Sequence, residues 1–138
     1  MKRRAIVIHS LDHALAATAA ADVLVVPLTL ISAAGAAGYL GAPVFAAIIA
    51  ETRRAHPTVT LTAILDCGDA PGDALNAIRH GTPVIRIALP ASLRRKIEDI
   101  ATQSGTSVDR EAWDILDLLD LGDLDAACRV WLADDLGP

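Results

Sequence analysis

Val59-Thr60-Leu61-Thr62-Ala63-Ile64-Leu65-Asp66-Cys67-Gly68-Asp69-Ala70-Pro71 decides the fold. Seven mainly apolar and β-branched residues run into an acid and a glycine, and a proline then opens a new segment. The pattern predicts a buried strand over 59–65, a loop at 66–69 and a helix from Pro71, since proline suits the first helical turn. That helix stops at Gly81, a residue that readily takes the left-handed conformation of a helix C-cap.

The same strand–loop–helix unit repeats on both sides. Residues 5–10 predict a short buried strand ending on His9 and Ser10. Ser10 can cap a helix over 11–24, with Asp12 in its first turn where the helix dipole favours an acid. Pro27 starts a second strand, over 28–31. The glycine-spaced loop at 32–41 leads to Pro43 and a helix over 44–54, which ends ahead of His56-Pro57 as pre-proline sterics require. A fourth strand follows over 84–88, then a helix over 91–102 ending at Ser104-Gly105, and a short extended piece over 106–108. Such alternation predicts an α/β fold with a parallel sheet of four or five strands, of half-barrel or flavodoxin-like form.

The chain of 138 residues is long enough for a single core. Its 53% hydrophobic content is largely alanine, valine, isoleucine and leucine, with 3% aromatic. Charge is uneven: residues 1–108 hold 8 acids against 10 Lys/Arg, whereas residues 109–138 hold 9 acids against Arg110 and Arg129. This boundary divides an α/β domain (1–108) from an acidic amphipathic helical tail (109–138), either part of the same domain or an interface element. Ala112, Ile115, Leu116 and Leu119 follow helical spacing, as do Leu124, Ala127, Cys128 and Trp131, so two tail helices are expected. Their apolar stripes need cover, which predicts a homodimer or packing on the chain's own body.

An acidic tail on a near-neutral body argues against nucleic acid as the main partner. The 28 uncharged residues between Asp22 and Glu51 are long enough for a membrane span. Pro27, Pro43 and the glycines at 35, 38 and 41 break that run, and no span is expected. Two cysteines and only four apolar residues behind the basic start predict a cytoplasmic protein with reduced thiols.

Ligands of parallel α/β sheets bind where the strands' carboxyl ends meet loops and helix N-termini. The polar residues concentrate there, and His9, Ser32 and Asp66 are expected around one cleft. His9, Ser10 and His13 follow the first strand, Ser32, Gly35 and Gly38 the second, and Asp66, Cys67 and Asp69 the third. Asp66 is a candidate general base and Cys67 a candidate metal ligand; the alternative is a loop-bonding acid, a buried thiol and Asp69 as a helix cap. His9 and His13 offer half a metal site with Cys67 or Asp66, zinc being the ion such donors suit, yet no H-E-x-x-H spacing supports it. The glycines of 32–41 offer backbone N–H groups to a small anionic metabolite, though their spacing is neither a Walker loop nor a dinucleotide fingerprint. A hydrolytic triad of Ser10 or Ser32 with His13 and Asp66 lacks the G-x-S-x-G elbow.

From Leu28 to about Ile97 the order of features resembles the class II fructose-bisphosphate and tagatose-bisphosphate aldolases. The matching pieces are Leu28-Thr-Leu-Ile-Ser32 with the glycine loop, Ile64-Leu65-Asp66-Cys67, Ala77-Ile78-Arg79-His80-Gly81 and Val84-Ile85-Arg86-Ile87. The resemblance covers about half the chain and implies half of a (β/α)₈-type barrel. It implies a proton-transferring role for Asp66 and puts Cys67 where the family has a zinc-binding histidine. The sequence departs from the family at Ala88-Leu89-Pro90, where an acid–Gly–Ser stretch is usual. The two functional expectations are therefore a non-catalytic, self-associating domain that binds a small anionic metabolite, and a metal-assisted lyase or isomerase using Asp66 and Cys67.

Overall fold

The computed structural model describes residues 3–134; residues 1–2 of the basic start and 135–138 of the acidic tail lie outside the described residues. The elements are β1 (Arg4–Ile8), α1 (Leu11–Leu24), β2 (Leu28–Ser32), α2 (Ala36–Tyr39), α3 (Ala42–Ala55), β3 (Leu61–Asp66), α4 (Pro71–Arg79), β4 (Val84–Arg86), α5 (Ala91–Ser104), β5 (Ser107–Val108), β6 (Asp114–Asp117) and α6 (Leu124–Asp134). The strands form one parallel sheet in the order β5-β4-β3-β2-β1-β6. β1 to β5 are consecutive neighbours in this open sheet, an order different from the flavodoxin order 2-1-3-4-5. No helix among the described residues is long and apolar enough to cross a membrane.

The chain divides into two compact units. The first comprises residues 3–31, 48–62 and 111–134. Its β1 and β6 pair in parallel, from Arg4 opposite Asp114 to Val7 opposite Asp117. Helix α1 packs on α6. Ala14, Ala17, Thr18 and Ala21 make a buried stripe along α1, and Cys128 and Leu132 are the buried residues of α6. Small side chains on one helix let the other approach closely, so alanine here serves packing as well as helix propensity. Ser10 caps α1 as expected, accepting the His13 N–H at 3.2 Å. Arg4 donates to the Trp131 carbonyl at 2.9 Å and lies 4.4 Å from that indole's centroid, while Arg3 lies 5.1 Å from the Trp113 ring.

The first expected tail helix is a strand. Residues 114–118 alternate in burial, with Ile115 and Asp117 exposed and Leu118 fully buried. The alternation matches a period of two, and pairing with β1 satisfies backbone groups that a four-residue helix would leave open. The sheet consequently has a sixth strand. The second tail helix forms as expected, as α6.

α1 ends at Val25, which takes a left-handed conformation (φ 56°, ψ 50°) that lets its N–H and that of Val26 bond back to the helix. Valine is a poor choice there, because left-handed backbone crowds a branched side chain. It is also 88% exposed, so little packing offsets the strain. Val25→Gly is expected to stabilise the protein by about 1 kcal/mol, raising the melting temperature by a few degrees. An unchanged or lower melting temperature would contradict this account of the cap.

The second unit comprises residues 32–47 and 63–110. β3 pairs with β4, placing Asp66 level with Arg86, and β4 pairs with β5, placing Ile85 level with Val108. Ile64, Leu65, Ile85, Ala74, Ala77, Ile97 and Ala101 are buried in it. Burying each large aliphatic side chain contributes roughly 1.5–3 kcal/mol before ordering costs. α5 ends at Gly105 in a left-handed C-cap (φ 79°), and Thr106 then enters β5 with its hydroxyl bonded to the Thr82 carbonyl at 2.9 Å.

Candidate functional site

In the second unit Asp66 closes β3, and its carboxylate organises two loops. Its Oδ1 accepts the N–H of Gly35 at 2.9 Å and of Gly68 at 2.8 Å. Its own N–H donates to Ser32 Oγ at 2.8 Å, and that hydroxyl donates to the Ala33 carbonyl. Gly35 and Gly68 both have positive φ (68° and 60°), and a Cβ on Gly68 would meet the Gly35 Cα at 3.5 Å. A Cβ on Gly38 would come within 2.7 Å of Asp73 Oδ2, the end of a side chain that can move aside. The anion received by the Gly35 N–H is therefore the protein's own carboxylate.

Cys67, next in sequence, is 1% exposed, and burial followed by the charges of Asp66 and Asp73 pushes its thiol up to about 12. Without a metal ion beside it, burial keeps it a neutral thiol. Among the described residues no three His, Cys, Asp or Glu side chains are placed to hold a metal ion. The donor set does not fit zinc. Asp69 is exposed and does not cap α4, whose N-cap is Ala70.

Beyond Asp66 lies a cavity of about 350 Å³ lined by Arg86, Ile87, Ala88, Arg94, Val108, Asp109 and Arg110 as well as Asp66. It sits at the carboxyl ends of β3, β4 and β5. Arg86 Nη1 donates to Asp109 Oδ2 at 2.5 Å, and Asp109 is only 11% exposed in its side chain. Arg110 pairs with Glu98. Arg94, in the first turn of α5, is different: its Nε lies 3.5 Å from Glu98 Oε1 without a hydrogen bond, and both atoms are buried. The sequence reading missed these arginines. The signal available was Arg86, a charge inside the apolar run Val84-Ile85-Arg86-Ile87.

In the first unit His9, Ser10 and His13 gather with a residue the sequence did not single out. His9 Nε2 donates to Asp117 Oδ1 at 2.7 Å, and the same oxygen accepts the Leu119 N–H at 2.9 Å. The His9 N–H donates to His13 Nδ1 at 3.0 Å, so His13 needs an unprotonated Nδ1. The two rings meet edge to face with centroids 5.7 Å apart. Burial tends to raise the Asp117 pKa, but the Leu119 N–H, the His9 hydrogen bond and the charges of both histidines lower it overall. His56, placed by the sequence at a helix end, bonds Asp22 through Nδ1 at 2.9 Å.

Burial, then the neighbouring His9, pushes the His13 pKa down, while Asp117 and Asp12 act in the opposite direction. A histidine depressed by folding takes its proton more readily in the unfolded chain. Its contribution to stability is therefore complete above about pH 6.5 and is lost as pH falls through the folded pKa. Asp117, with a lowered pKa, acts in a separate window below about pH 4. The melting temperature is expected to fall between about pH 7.5 and 5.5, and His13→Gln should flatten that slope. Equal slopes in both proteins would remove His13 as the cause.

No family model matches the chain, and no curated protein matches it either.

Proposed function

We propose that the protein is a non-catalytic, cytoplasmic α/β domain that binds a small anionic metabolite at the carboxyl ends of β3, β4 and β5. One observation carries the reading: Arg94 lines the cavity, and its buried Nε makes no hydrogen bond among the described residues, only a 3.5 Å ion pair with Glu98 Oε1. A guanidinium presents up to five donors in a planar fork that matches carboxylate or phosphate. The cavity volume lies at the small end of the range for small-molecule sites. The lyase reading needs a metal ion, and among the described residues no three His, Cys, Asp or Glu side chains are placed to hold one.

Inorganic phosphate and acetate are the probes. Millimolar concentrations of at least one should shift the backbone amide resonances of the residues lining the cavity. Arg94→Gln should weaken that binding about tenfold, which corresponds to roughly 1.4 kcal/mol. Resonances that stay put with both anions would overturn the reading. Self-association belongs to the same proposal and rests on Ile115, Leu119 and Leu121, which are exposed on and just after the edge strand β6. Light scattering at micromolar concentration should give a homodimer, and a monomer would refute this part alone.

A further inference from the structure

The walls of the cavity are not simply basic. Arg86 is matched by Asp109 and Arg110 by Glu98, whose carboxylate also faces Arg94. Two lining charges remain short of partners. One is Arg94, which shares the single Glu98 carboxylate with Arg110 and whose Nε makes no hydrogen bond among the described residues. The other is Asp66, whose Oδ1 is taken by the Gly35 and Gly68 N–H groups and whose Oδ2 receives no hydrogen bond among the described residues. The lining between them includes apolar Ile87, Ala88 and Val108.

On this basis, and resting on the anion-binding reading above, we infer that the ligand is a small zwitterion of amino-acid size. Its carboxylate pairs with Arg94 and its ammonium with Asp66 Oδ2. A plain anion would answer Arg94 and add a second negative charge to a cavity that Asp66 also lines, which is unfavourable. A zwitterion answers both charges at no net cost in charge. Asp66 is pre-organised for the task, because two backbone N–H groups already fix the carboxylate in place and no side-chain ordering is needed on binding.

The test is a ligand series on the unaltered protein, read from the amide resonances of Gly35, Gly68, Ala88 and Asp109. Acetate, L-alanine and β-alanine are titrated under identical salt and pH. At least one of the two amino acids should bind tenfold or more tightly than acetate. Asp66→Asn is the companion variant, because asparagine keeps the Oδ1 acceptor for both glycine N–H groups and turns the other atom into a donor. It should abolish the advantage of the amino acid over acetate. Acetate binding as tightly as both amino acids would overturn the zwitterion while leaving the anion site standing. Failure of all three ligands and of phosphate would overturn both. The wild-type series decides the matter even if Asp66→Asn does not fold.

Discussion

A chain ending at Arg110 is expected to lose the cooperative thermal transition of the full-length protein. The deletion removes β6, and with it the parallel ladder along β1 from Arg4 to Val7. It removes α6 as well, the helix that packs on α1. Leu118 and Leu132, both buried, are lost with it. Two such leucines alone account for roughly 3–6 kcal/mol of burial, and the ladder and helix contact add to that. Domains of this kind are stable by about 5–15 kcal/mol in total, so the remainder has little left. Circular dichroism during a thermal ramp would show a broad, non-cooperative decay in place of a sigmoid. A truncated chain that melts sharply within a few degrees of the parent would mean that the acidic end is an accessory.

Asp66→Ala should be the most damaging single substitution at the sheet's carboxyl edge. It leaves the N–H groups of Gly35 and Gly68 without their acceptor and unties two loops that meet at this one carboxylate. Hydrogen bonds to a charged acceptor contribute about 1.5–3 kcal/mol each. Partial replacement by water brings the expected loss to about 3 kcal/mol, or roughly 10 °C in melting temperature for a chain of this size. Asp66→Asn, which keeps the acceptor, should cost about a third as much by the same reasoning. Equal melting temperatures for the two variants would show that the carboxylate's bonds to the loops are not what holds them.

Much of the fold was legible because local signals agreed with one another. Ser10 and Asp12 mark the start of α1, Pro71 the start of α4 and Gly105 the end of α5, and the structure uses each of them in the role its chemistry suggests. The segment 112–119 was misleading because Ile115 and Leu116 fit a helical stripe and a strand alternation equally well over so short a run. Helical burial would also have covered Ala112 and Leu119; the second is 51% exposed. The open edge of β1 chose between the two, and no local pattern encodes an edge contributed by residues more than a hundred positions away. At the candidate site, Ser32 and Asp66 could be expected to meet, since both close neighbouring strands. Arg86 and Asp109 could not, because their pairing depends on the register of β4 against β5. Arg94 and Arg110 read as ordinary surface charges until the cavity was seen between them.

The two indoles described above sit against arginines in the first unit, at Trp113 and Trp131. They are the only tryptophans in the chain, and the second unit holds its single tyrosine, Tyr39, and single phenylalanine, Phe45. Excitation at the red edge of protein absorbance therefore reports on one unit alone. Fluorescence and far-ultraviolet dichroism, followed through the same denaturant titration, become independent witnesses to whether the molecule unfolds in one step or two. Coincident curves would bind the halves into a single cooperative unit. A fluorescence transition that precedes or trails the dichroism would date the loss of the first unit separately, without labelling the protein.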